Sequence, residues 1–136
     1  MGLAERRATK EFQDTLFPAL KAAVEAAAGF PVTLNINWEQ LAKEDASHGY
    51  AEAWPKIYFQ TAIDAFKSIT RDQMGKDALK AGLKSVVFQN TGGFSSSTSS
   101  LSFVDGVFTV DHDPWSNVDN IQDRVDTAIA LLEKAL

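Results

Sequence analysis

The chain switches between two hydrophobic periods, and each switch marks an element. Between Leu3 and Ala28, Phe12, Leu16, Leu20 and Val24 recur every fourth position, with Ala23 and Ala27 beside them, as on one face of a helix. Pro18 lies inside that run and has no amide hydrogen, which predicts a kink or restart with Pro18 in the first turn of the second piece. Gly29 supplies the stop. From Val32 to Trp38 the period becomes two, with Val32, Leu34, Ile36 and Trp38 on one side and Thr33, Asn35 and Asn37 on the other. That is the pattern of a strand with one face buried.

Leu41 to Gly49 carries mixed charge and no period, which predicts a loop with a helical turn. Trp54 to Thr70 then shows a broad apolar stripe, Ile57, Tyr58, Thr61, Ala62, Ala65, Phe66 and Ile69, behind a proline suited to the first helical turn. A shorter helix is expected over 72–81, with Asp72 as its cap and Gly82 as its terminator. Ser85 to Gln89 is rich in β-formers and ends at the turn-prone Asn90-Thr91-Gly92-Gly93.

The clearest local signal is Leu101-Ser102-Phe103-Val104, Asp105-Gly106, Val107-Phe108-Thr109-Val110: two alternating runs about an Asp-Gly pair, hence a hairpin on a type I′ turn. A two-residue loop sets Val104 opposite Val107, Phe103 opposite Phe108 and Leu101 opposite Val110. Continued backwards through the serine run, the same register puts Ser99 opposite His112. Asp113-Pro114 ends the last strand. Val118, Ile121, Val125, Ile129, Leu132 and Leu136 then keep helical spacing to the end, with Ser116 or Asn117 available as cap.

The order α-β-α-α-β-β-β-α over residues 1–136 predicts a single α+β domain. Its arrangement is expected to be a two-layer sandwich with helices on one face of a mostly antiparallel four-stranded sheet. The polar side of the 32–38 strand favours a sheet covered on one side over a parallel sheet buried on both. Thr33, Asn35, Asn37, Ser102, Val104, Val107 and Thr109 would then line a bare face, suited to a protein partner or a second copy.

Composition removes several chemistries. Hydrophobic residues make up 45% of the chain, with nine Phe and three Trp for an interior, and cysteine is absent. Disulfides, thiolate metal sites and a cysteine nucleophile are thereby excluded. Thirteen basic against eighteen acidic residues give a formal charge of −5, which repels phosphate backbones. The densest basic group, Arg6, Arg7 and Lys10, reads as a solvated helix face, so no nucleic-acid partner is expected. No apolar run reaches the roughly 18 residues of a membrane span, no secretory h-region follows Met1, and Arg6 stands where a myristoylation motif needs Ser or Thr. The expectation is a cytoplasmic chain without membrane contact.

Asp111-His112-Asp113 is the best constellation for acid–base or metal chemistry. On a strand, however, the two aspartates face one way and the histidine the other, and polar termination of the strand is the plainer alternative. His48 follows Glu44, Asp45, Ala46 and Ser47 on a loop, so Ser99, His112 and Asp45 or Glu44 match a nucleophile, base and orienter in outline. No Gly-x-Ser-x-Gly elbow accompanies them. Asn90 to Ser95 could cradle an anion but lacks a Gly-Lys-Ser/Thr ending, so it reads as a turn. No metal or cofactor is expected.

Aromatics at element ends suggest one further site. Trp38 and Trp54 flank the His48 loop, which predicts an aromatic-walled pocket with Trp38, Glu39, His48, Tyr50, Trp54, Ser99 and His112 as ligand-binding candidates. Two functions follow. One is a non-catalytic binding protein that takes a small molecule, a protein partner or its own copy. The alternative is a small hydrolase or metal-assisted enzyme using His48, His112 and nearby carboxylates, which requires both imidazoles in one concavity.

Overall fold

The computed structural model describes residues 1–136. Helix α1 (Leu3–Thr15) and helix α2 (Phe17–Ala28) are separated at Leu16, with Pro18 in the first turn of α2 and Gly29 in the left-handed conformation at φ 87°. Strand β1 is shorter than its pattern, Leu34–Ile36, because Trp38 starts a helical turn, α3 (Trp38–Leu41), that Asn37 caps through its side chain. A 3-10 turn, Ser47–Gly49, leads into a long helical run. This comprises α4 (Tyr50–Trp54), a wider π segment (Pro55–Phe59) and α5 (Gln60–Ile69). Pro55 has no amide hydrogen to donate, and the ladder slips by one residue there, with Gln60 bonding back to Pro55.

Helix α6 (Gln73–Gly82) is capped by Asp72 as expected, but runs through Gly82 to end at Leu83. Strand β2 is Ser85–Gln89. The serine run does not extend the third strand. Ser96 caps a helical turn, α7 (Ser97–Ser100), and β3 (Leu101–Val104) begins only afterwards. Strand β4 is Val107–Asp111, and α8 (Ile121–Ala135) starts after Asn120 rather than from a Ser116 or Asn117 cap.

The hairpin has the expected register: Leu101 faces Val110, Ser102 faces Thr109, Phe103 faces Phe108 and Val104 faces Val107. Asp105 at φ 52° and Gly106 at φ 81° give the type I′ turn. The sheet as a whole corrects the expectation of a mostly antiparallel one. Its order is β1-β2-β4-β3; β1 and β2 are parallel, β2 and β4 are parallel, and only β3 and β4 are antiparallel. The long helical stretch from Asn37 to Lys84 is the crossover that a parallel β1–β2 pair requires. The polar side of β1 reports an uncovered face and says nothing of strand direction.

Phe88 and Phe108 alternate inward and meet Tyr58 at 5.6 Å, Phe59 at 5.0 Å and Phe66 at 5.6 Å between ring centroids. The π segment and α5 therefore seal one sheet face, α2 and α8 flank α5, and 28 buried residues form one core cluster. Asn35, Ser102, Val104, Val107 and Thr109 stay exposed or half-exposed on the opposite face. No helix is long and apolar enough to cross a membrane.

Two glycines separate backbone strain from crowding. A Cβ at Gly106 would lie 2.8 Å from the Gly82 carbonyl oxygen, whereas one at Gly93, φ 67°, meets nothing within 4 Å. Chemical denaturation should show Gly93→Ala costing about 1 kcal/mol from the left-handed backbone alone. Gly106→Ala should cost about 2–3 kcal/mol, because the hairpin must also move off the α6–β2 connection. Equal losses would refute that packing.

Candidate binding site

The expected aromatic pocket is filled by its own walls. Trp54 is fully buried and donates Nε1–H to the Leu41 carbonyl at 3.1 Å. Tyr50 stacks on it at 4.3 Å, and Phe12 and Trp38 close round it at 4.9 and 5.6 Å. The Tyr50 hydroxyl donates to the Lys43 carbonyl, and burial with the Glu5 carboxylate nearby pushes it up to about 12. His48 is exposed and lies edge-on to Trp115 at 5.5 Å; with Tyr50 it lines a hollow of about 260 Å³ against α1. Glu39 is exposed on α3, and Ser99 is exposed on α7 with its hydroxyl on Ser96.

His112 does not join His48 or Ser99. It lies fully buried, its Nδ1 is 2.6 Å from the Asp113 carbonyl, and its Nε2 has no partner. A carbonyl only accepts, so Nδ1 carries the proton. Asp111 instead accepts from the Thr91 amide and hydroxyl, while Asp113 accepts from Ser116 and pairs with Lys43 at 3.3 Å. The Asp-His-Asp triplet is thus spent on three separate structural tasks. No group of three His, Asp or Glu residues comes together to hold a metal.

Beside His112 lies a buried cation that the hydrophobic pattern alone does not single out. Arg124 is 1% exposed and donates to the carbonyls of Asn117 at 2.7 Å, Val118 at 2.8 Å and Lys56 at 3.4 Å, and to the Thr61 hydroxyl at 3.3 Å. Tyr58, also buried, donates its hydroxyl to the His112 carbonyl. Arg124 interrupts the apolar stripe Ile121, Val125, Ala128 and Leu132, and a charge in that position is the signal of a buried cation. This knot is closed to solvent and lines none of the surface hollows.

The largest concavity, about 880 Å³, lies at the β1 end of the sheet and is lined by Phe17, Lys21, Val32, Trp38, Val87 and Gln89 around the strand itself. Thr33 accepts from the Val86 amide at 2.8 Å, and the Asn37 amide donates to Phe88 at 3.0 Å. Residues 33, 35 and 37 therefore turn their main chain to β2. By alternation Leu34 and Ile36 turn theirs to the free edge. Of the seven ligand-binding candidates that the sequence suggests, only Trp38 lines this groove, where its ring meets Phe17 at 5.2 Å. Comparison with protein-family models, curated proteins and solved structures finds no match for this chain.

Burial holds the His112 imidazole below its ordinary value near 6.5, and the Arg124 charge adds to this; the carbonyls of Asp113 and Ser95 and the Asp113 charge work against it. The folded chain therefore resists a proton that the unfolded chain accepts. Stability should fall as pH drops below about 6.5, by up to about 1.4 kcal/mol per unit, until the folded state also takes the proton. Urea midpoints of the wild type and His112→Gln between pH 7.5 and 5 (roughly the range in which histidine titrates) check this. The variant, whose amide can still donate to Asp113, should show the flatter profile, and parallel profiles would refute it.

Proposed function

We propose that the chain is a non-catalytic binding protein that takes a protein partner at the open edge of its sheet, laying an extended segment of that partner beside β1. The observation that carries this is the unpaired main chain of Leu34 and Ile36 within the largest groove of the molecule. Strand addition uses such an edge: main-chain bonds give affinity, and alternate side chains give selectivity. Phe17, Val32 and Trp38 offer an apolar wall on the helix side. Asn35, Asn37 and Gln89 offer amides on the bare side, and Lys21 adds a positive charge. The groove combines one of the aromatic candidates, Trp38, with the β1 end of the exposed sheet face.

A hydrolytic or metal-assisted reading draws no support from the same geometry. His112 is sealed, His48 lies outside against Trp115, and Ser99 bonds to its neighbour Ser96.

Random heptapeptides displayed on phage test the proposal. Enriched sequences should alternate apolar and polar residues, and their synthetic forms should slow hydrogen exchange at Leu34 and Ile36. Ile36→Pro removes an outward amide without touching the bonds to β2 and should weaken binding about tenfold. Enriched peptides that leave these two amides unprotected, or that bind Ile36→Pro unchanged, refute the edge as the site.

A further inference from the structure

Resting on that edge-binding reading, we infer that the partner is a second copy of this chain, its β1 laid antiparallel to the first about a two-fold axis at Asn35. The outward main-chain groups sit one residue to each side of Asn35. A two-fold there pairs Leu34 with Ile36 of the second copy and Ile36 with Leu34, closing four N–H to C=O bonds. No outward group between Leu34 and Ile36 is left over.

The side chains match under the same operation. On the bare face Asn35 meets its own copy and Thr33 meets Asn37, pairs that hydrogen-bond across strands without charge. On the helix side Leu34 lies beside Ile36, and Val32 before the strand and Trp38 at the start of α3 flank that pair with the apolar wall of the groove.

Charge leaves this approach open. Copies carrying −5 each repel one another, yet no charged residue occurs from Ala26 to Trp38. The bare face beside β1 carries one carboxylate, Asp111, already held by Thr91. Lys21 is the exception: the two-fold brings both copies' Lys21 to the same side of the joined sheet. Its four-carbon stem keeps the ammonium in water, and salt should therefore strengthen association.

A second copy is favoured over a free peptide because its strand is already extended against β2, so docking orders nothing new. The contact is also closed: each β1 has one free edge, and the two-fold uses both, giving a continuous eight-stranded sheet ending in β3 on either side.

The absence of cysteine makes single thiols clean reporters of register. Residues facing each other across the axis belong to a non-hydrogen-bonded pair with Cα atoms about 4.5 Å apart, within disulfide reach. Under mild oxidation Asn35→Cys should form a covalent dimer. Thr33→Cys and Asn37→Cys should not do so alone, but an equal mixture of the two should. Sedimentation of the cysteine-free chain at up to about 1 mM should show a dimer that tightens with salt and that Asn35→Lys, at an exposed position, weakens at least about tenfold.

Equal cross-linking of all three thiols, species larger than a dimer, or a strict monomer at that concentration overturns the inference. If the chain stays monomeric while phage-selected heptapeptides still protect Leu34 and Ile36, self-pairing falls and the edge reading stands. If neither peptide nor copy slows exchange there, both fall.

Discussion

The sheet has one face that must be hidden, and the helical run from Tyr50 to Ile69 hides it. Phe88 and Phe108 project from the two central strands and Tyr58, Phe59 and Phe66 from the helix, so each large ring removes its neighbours' apolar surface from water. Burying such a side chain is worth roughly 1.5–3 kcal/mol, so this layer contributes substantially to stability. The slip at Pro55 belongs to the same constraint. It turns the register of the run so that Ile57, Tyr58 and Phe59, three consecutive residues, are all buried. Once the face is committed, the rest of the molecule is arranged round it: α2 and α8 flank the helix, α8 also against β3, and the second sheet face is left to water.

Three large polar side chains of that core, Arg124, Tyr58 and His112, form one knot. A buried arginine normally pairs with a carboxylate, yet Arg124 is held by main-chain carbonyls of the 117–118 turn and of Lys56. Its charge is spread over dipoles fixed by the fold, and it ties the entry of α8 to the start of the π segment. Tyr58 ties the same segment to the end of β4 through the His112 carbonyl. Together they fasten the π segment to the turn before α8 and to the end of β4. His112 is therefore a packing residue with an unsatisfied nitrogen, and its cost to the fold is a proton that the unfolded chain accepts more readily.

Local chemistry is legible where a short window suffices. Asp105-Gly106 requires two positive φ angles and flanking alternation, and both are visible in the sequence, so the hairpin register follows from it alone. Pro18, Gly29 and Asp72 act likewise through their own backbone chemistry. Strand order is different in kind. Nothing in the alternation of β1 or β4 states which strand each one neighbours, and it is the second strand of the hairpin, β4, that pairs with β2 and leaves β3 outside. The serine run misleads for a related reason: Ser96 offers its hydroxyl to the Ser99 amide, and that cap competes with extension of the strand. Trp38, Tyr50 and Trp54 do gather at one end of the fold, but whether aromatics wall a hollow or fill it depends on their mutual packing, which spacing does not encode.

The binding site proposed for the chain is a consequence of that unreadable strand order. With β4 inserted centrally, β3 takes one edge of the sheet beside α8 and β1 is left at the other. Edge strands are usually blunted by lysine, proline or a bulge. Here Pro31 bounds β1 and the strand is short, but its three residues, Leu34, Asn35 and Ile36, carry no charge and no kink. α2 runs alongside and covers the helix side only as far as Phe17 and Lys21 line the groove. A helix shifted toward the edge would cover both outward main-chain pairs, and a lysine at Asn35 would guard them. The chain does neither, and those four unpaired groups can be satisfied only by water or by another strand.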